Sequence, residues 1–314
     1  MTKDCRREAP PHSKPVLAEI EELVRTGRTG EARQALRKLS PKSIPRGEVF
    51  AFANAARRAG LGRLALRILN PIIRGKRSKD VPASAEEKIE YAATLRQQGM
   101  TAEAAELLDE VDPIRFPQAA FQLALCHFAR WHYDLAIPLL KTYVESFREA
   151  SYARSVGVLN WVDALIAENR REEARALLKR LEVDIDPAAS PLLELKRLEL
   201  SGRLEADMGN LDQAISDFEK ACALFTAERQ DTTGQLLAVR KWLAVTRSQR
   251  AGFAVPELSA LRAEAFEQRR WEIVRDCDFQ LAKLSGDSAS LTRIYFGSPS
   301  EKYRARVAST LGGP

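Results

Sequence analysis

The sequence predicts an all-α solenoid, a row of antiparallel helical hairpins stacked side by side. Three observations carry that prediction: an alanine recurs at a loose period, a bulky apolar residue follows each alanine by one helical turn, and a helix-stopping residue precedes it. The alanines are Ala32, Ala65, Ala104, Ala136, Ala174 and Ala214, separated by 33, 39, 32, 38 and 40 residues. That length suits a two-helix unit that cannot bury its apolar face alone and must stack on its neighbours. Four residues after each alanine stands Leu36, Leu69, Leu108, Leu140, Leu178 or Phe218, on the same helical face. Five residues before it stands Gly27, Gly60, Gly99, Trp131, Asn169 or Gly209. Gly and Asn most easily enter the left-handed conformation that closes a helix. Twelve residues before it come Ile20, Ala53, Ala92, Ala124, Val162 and Gly202, mostly small, as needed where two helices cross closely.

Taken in order, apolar periodicity and punctuation predict helices over 15–26, 30–39, 46–59, 62–74, 84–98, 101–110, 116–130, 133–147, 151–168, 171–182, 189–208 and 211–227. Pro41, Pro45, Pro82, Pro113 and Pro187 fall between hairpins, where a missing amide donor does little harm. Pro138 falls inside a predicted helix, which is therefore expected to begin near Leu135 or to kink. Helical periodicity continues over 236–250, 255–270 and 271–284 without the registered Gly and Ala. The final stretch, with Ile294, Tyr295, Phe296, Tyr303, Arg304 and Arg306, reads as a capping helix and turn or as the stub of a connection to an output domain.

Small residue, helix stop, alanine, bulky apolar residue: in this order the pattern resembles the tetratricopeptide repeat family, with degenerate copies. The clearest copy holds Gly202, Gly209, Asn210, Leu211, Ala214, Phe218 and Ala221, with Glu205 where an aromatic is usual; Tyr91, Ala92, Leu95, Gly99, Ala104 and Leu108 form the next best. The resemblance covers about residues 16–226 and implies a right-handed α-solenoid of stacked antiparallel hairpins. The predicted organisation is a flexible basic leader over 1–14, a six-hairpin array over 15–227, and further degenerate hairpins with a cap over 228–314.

Of 314 residues, 45% are apolar and 29% charged, enough for a core and too balanced for disorder. The net charge of +6 is uneven: residues 1–80 hold 19 Lys and Arg against 8 Asp and Glu, and the remainder holds 30 against 35. A basic N-terminal end favours an anionic partner there. Cys5, Cys126, Cys222 and Cys277 form no CxxC pair, which argues against a zinc module or a disulfide-stapled secreted fold. No apolar run resembles a secretory signal or a membrane span, so a cytoplasmic location without membrane insertion is expected.

Catalytic chemistry finds little support. The three histidines are His12, His127 and His132, and the run Cys126, His127, His132, Asp134 is the nearest approach to a metal cluster. Five helical residues rotate by about 140°, so the two imidazoles diverge unless the helix stops between them. Neither GxxxxGK[ST] nor GxGxxG occurs. The acidic pairs Glu86–Glu87 and Glu172–Glu173 sit at helix starts, where they suit the helix dipole. The expectation is no catalytic site, no metal and no cofactor.

The resemblance implies instead a concave groove lined by the first helix of each hairpin. The register nominates Asn54, Arg57, Arg58 and Arg96 as donors to carboxylates or phosphates, and Phe121, Leu125, Phe128 and Leu159 as an apolar floor for a peptide or helix. Leu17, Glu21, Phe50, Ile89, Gln97, Asp163, Lys196 and Arg203 share that register. Some members of the family grip a C-terminal carboxylate through an Asn and Lys or Arg clamp; only Asn54 matches here, with Glu21 and Ala93 at the neighbouring positions. A second basic surface is expected on the second helices, from Arg33, Arg37, Arg63, Arg67 and Arg74, continued by Lys76, Arg77 and Lys79. The predicted role is a protein-interaction adaptor that captures an acidic or amphipathic segment. The alternative is a regulator's interaction module that touches nucleic acid or another anionic partner through the basic end.

Overall fold

The computed structural model describes residues 13–25, 28–75, 82–186, 190–224, 235–251, 255–268, 270–297 and 301–312. Every regular element among them is helical. In chain order these are α1 (Ser13–Arg25), α2 (Thr29–Arg37), α3 (Val49–Arg58), α4 (Gly62–Ile73), α5 (Ala85–Gln97), α6 (Thr101–Asp109), α7 (Pro117–Ala129), α8 (Tyr133–Glu145) and α9 (Tyr152–Ala167). There follow α10 (Arg171–Asp184), α11 (Pro191–Asp207), α12 (Leu211–Ala223), α13 (Gln235–Ala251), α14 (Val255–Glu267), α15 (Trp271–Ser285), α16 (Ser288–Gly297) and α17 (Glu301–Thr310). Short 3₁₀ turns at Pro41–Ser43 and Arg46–Glu48 join α2 to α3. The predicted leader lies outside the described residues except for Ser13 and Lys14, which open α1.

The chain forms two compact units, Met1–Cys126 and His127–Pro314, with the boundary inside α7. In the first unit Ile20, Leu36, Phe52, Leu69, Tyr91, Leu95 and Leu108 build one continuous core. In the second, separate clusters form around Phe218 and Leu195, around Leu258 and Leu261, and around Phe279, Tyr303 and Val307.

The repeat register explains this packing. All six alanines of the register are fully buried, as are Ile20, Ala53, Ala92, Ala124 and Val162 at the crossing position. Gly202 shows why that position is small: a Cβ there would lie 2.7 Å from the Phe218 ring. The predicted helix stops have positive φ at Gly60, Gly99, Trp131, Asn169 and Gly209; Gly27 lies outside the described residues. Each of the five closes its helix through the same two amide bonds. At Gly60, for example, Leu61 N–H donates to the Ala56 carbonyl at 2.8 Å and Gly60 N–H to that of Arg57 at 2.9 Å, the pairing of a Schellman turn. His132, Arg170, Met100 and Asn210 donate in the position of Leu61. The second helices therefore begin straight out of a turn without a side-chain N-cap. Acidic residues in their first turns, such as Glu31, Glu103, Asp134, Glu173 and Asp212, offset the helix dipole instead.

Two prolines lie within helices. Helix α8 starts at Tyr133 and carries Pro138 in its second turn rather than beginning near Leu135, while Pro71 lies inside α4. Both side chains are exposed, so each ring points to solvent and only one intrahelical amide bond is lost.

Candidate ligand-contact face

The nominated contact residues belong to first helices, and most already have partners. In the first unit, Asn54 on α3 donates to Glu90 Oε2 at 2.9 Å, and Arg57 Nε donates to Glu90 Oε1 at 2.5 Å. Glu90 is a buried carboxylate on α5, so these donors neutralise it rather than stand ready for a ligand. Glu87, one turn earlier, caps α5 through Ser84 and is paired with Arg46. Arg96 Nε lies 3.4 Å from Gln122 Oε1 on α7. Arg58 is exposed, as are Phe50 and Gln97; Phe121 and Leu125 are half-buried along one face of α7.

In the second unit, Phe128 meets Tyr133 edge-on, with ring centroids 5.0 Å apart. Leu159 leaves the contact set, because it is 2% exposed and belongs to the interior of its hairpin. Asp163, on the same helix α9, organises a chain of alternating charges. Arg203 Nη1 donates to its Oδ1 at 2.8 Å and Lys196 Nζ lies 3.3 Å from its Oδ2, both from α11. Lys196 also reaches Glu199 at 3.0 Å. The Arg203 guanidinium lies over the Trp242 ring of α13, 5.2 Å from its centroid. Lys241 lies over the same ring at 4.1 Å and is paired with Asp276 of α15.

The side chains of Asp163, Lys196 and Arg203 are 21%, 26% and 18% exposed, so the chain is half-sunk yet reaches the surface. Burial would raise the Asp163 carboxyl, but Arg203 and Lys196 outweigh it and hold Asp163 at about 2. Burial works against the Lys196 and Arg203 charges, and the neighbouring carboxylates more than compensate, raising both. Tyr133, close to this chain, is pushed up to about 12, chiefly by burial. Three cations and three carboxylates balance, so the face offers little net charge. It does offer donors: an ammonium has three N–H groups and a guanidinium five, more than these contacts consume. Such a face suits backbone carbonyls and polar side chains of an extended segment.

The sequence register reached Asp163, Lys196 and Arg203 but not Glu199, Lys241 or Asp276. Lys241 and Asp276 lie beyond residue 230, where the repeat pattern fades, so their helices carried no register.

The predicted basic stripe is broken. Arg33 Nε donates to the Ala59 carbonyl at 2.5 Å, closing the end of α3. Arg74 is paired with Glu103 and lies over the Tyr91 ring. Lys76, Arg77 and Lys79 lie outside the described residues. Arg37, Arg63 and Arg67 remain, and they line one cleft of about 630 Å³. No described helix is long and apolar enough to cross a membrane.

No family model matches the sequence, and no curated protein matches it. Solved structures do. The chain superposes on a Rap protein complexed with competence and sporulation factor with a TM-score of 0.66 and 13% identity, covering 95% of this chain and 89% of that one. The apo form of RapI gives a TM-score of 0.56 at 10% identity, covering 90% and 85%. The apo form of the quorum sensor NprR from B. thuringiensis gives 0.56 at 15% identity, covering 95% and 94%. At such identities the likeness is one of fold, and it agrees with the tetratricopeptide-like solenoid read from the repeats.

Proposed function

We propose that this chain is a cytoplasmic, non-enzymatic binding scaffold that holds a peptide segment of a partner against the inward faces of its first helices. The observation that carries this reading is the charge-balanced chain from Asp163 through Lys196, Glu199 and Arg203 to Trp242, Lys241 and Asp276, which runs across four consecutive first helices and leaves unused donors on Lys196 and Arg203 of α11 and Lys241 of α13. A similar fold crystallised in complex with competence and sporulation factor supports the same direction. The nominated residues enter with revised roles. Within the first unit Arg58, Phe121 and Leu125 offer direct contacts on helices braced by Asn54, Arg57 and Arg96; within the second, Phe128 does so.

Affinity capture from the native cell, followed by mass spectrometry, tests this. Wild-type protein is expected to retain a partner that is lost from the Arg58→Glu, Phe128→Ala double variant, while the variant keeps its helical circular dichroism and cooperative unfolding. Equal recovery of every partner by the variant would count against the contact set. Recovery of nucleic acid in place of protein would count against the function.

A further inference from the structure

We infer that the cleft bounded by the end of α2, the α3–α4 turn and the α5–α6 turn is a binding site for a small phosphorylated anion. The cleft measures about 630 Å³ and takes Arg37 from the last turn of α2, Arg63 and Arg67 from α4, and Gln98 from the end of α5. That volume is in the range of small-molecule sites. Its lining contains no carboxylate, and none of the three guanidinium groups has an ion-pair or hydrogen-bond partner among the described residues.

Four other arginines of the same unit are paired, Arg28 with Glu31, Arg46 with Glu87, Arg57 with Glu90 and Arg74 with Glu103, whereas these three share one hollow. Three like charges around one hollow repel one another, and a multiply charged anion placed between them removes that repulsion while making charge-assisted bonds. Guanidinium forks match the several oxygens of a phosphoryl group. The start of α4 adds to the field, because its first turn carries Arg63 and no acidic residue. Gly62 keeps the floor open; a Cβ there would lie 2.5 Å from Nε2 of Gln98.

A small ligand is favoured over a nucleic-acid strand by what happened to the rest of the stripe. Arg33 and Arg74, which would have extended it, are tied up within the fold. Among the described residues the stripe's free cations therefore gather in one hollow rather than follow a track, and no aromatic ring lines it for a base to stack on. Leu39, Leu61 and Leu64 form apolar walls suited to the carbon skeleton of a phosphorylated metabolite.

The test is calorimetric titration of the full chain with pyrophosphate, against sulfate and a phosphoserine peptide as further arms. One saturable pyrophosphate site is expected, weakened about tenfold or more by Arg63→Gln with Arg67→Gln, and also by Arg37→Gln alone. The exposed Arg130→Gln, in the second unit, is expected to leave it within about twofold. Gly62→Ala, which displaces only the end of the Gln98 side chain, should weaken binding without lowering the melting temperature. Absence of saturation at millimolar pyrophosphate, or equal weakening by Arg130→Gln, would overturn the site. Tighter binding of the phosphoserine peptide than of pyrophosphate would overturn its assignment to a small molecule. Neither result depends on the peptide-holding face, whose variants lie on other residues.

Discussion

Replacing Asp163 by Asn keeps the shape of the side chain and removes the charge that Arg203 and Lys196 share. Two routes give the size of the effect. The carboxyl titrates near 3.8 when unfolded and at about 2 in the fold, a difference worth about 2.5 kcal/mol at neutral pH. Breaking a buried pair costs about 3–5 kcal/mol; here Glu199 remains to hold both cations and all three groups reach solvent, which reduces the figure to about 2–3 kcal/mol. The sign follows from the depressed carboxyl. Its stabilisation is complete well above pH 3.8 and is lost as the pH falls through the interval down to about 2. The wild-type advantage over Asp163→Asn should therefore fall by about half near pH 3. Urea unfolding followed by tryptophan fluorescence measures it cleanly, because Trp131, Trp161, Trp242 and Trp271 all lie in the second unit. A neutral-pH difference below about 0.5 kcal/mol, or one that is the same at pH 7 and pH 3, would refute the claim that this carboxylate anchors the face.

Gly202→Ala drives a methyl into the Phe218 ring and is expected to cost about 1–3 kcal/mol, read from the same urea curves. Asn169 and Trp131 hold the same left-handed turn position with φ of 60° and 64°, yet glycine should act oppositely at the two. Asn169→Gly should stabilise by up to about 1 kcal/mol. Trp131→Gly should destabilise by about 1–3 kcal/mol, because the ring contacts with Tyr133 and Tyr303 outweigh the relieved backbone. Burial pushes the Cys277 thiol up to about 11, so at pH 8 about one molecule in a thousand carries the thiolate. Ellman's reagent should modify Cys277 only after unfolding, and rapid labelling of the native protein at that residue would contradict its burial.

The fold was legible because its signals are local. A Gly or Asn five residues before a buried alanine sets a turn that repeats with the same amide bonds, and nothing distant is needed to make it. Trp131 shows the limit: its type argues against a left-handed turn, and only packing against a residue far along the chain justifies it. The site was legible only in part, for a related reason. Register can place Arg57, Arg33 and Arg74 on a face, but whether each is free depends on Glu90, the Ala59 carbonyl and Glu103, which stand 26 to 33 residues away in sequence. Those partnerships are decided by how hairpins stack. Leu159 was misplaced on the same account, since a first helix buries more than one stripe when neighbours cover it from two sides.

The contact of Trp131 with Tyr303 changes what kind of object the second unit is. Stacked hairpins that touch only their neighbours behave as a one-dimensional chain, which frays from its ends and can unfold piece by piece. Here the ring of the first turn lies 4.7 Å from a ring of the last helix, and Arg306 reaches over both Trp131 and Phe279. With α17 held to Trp131 in this way, unzipping should not start at that helix. Opening of the unit is expected to be collective, with α17 protected from hydrogen exchange to a degree comparable to helices deep in the stack and losing that protection together with them.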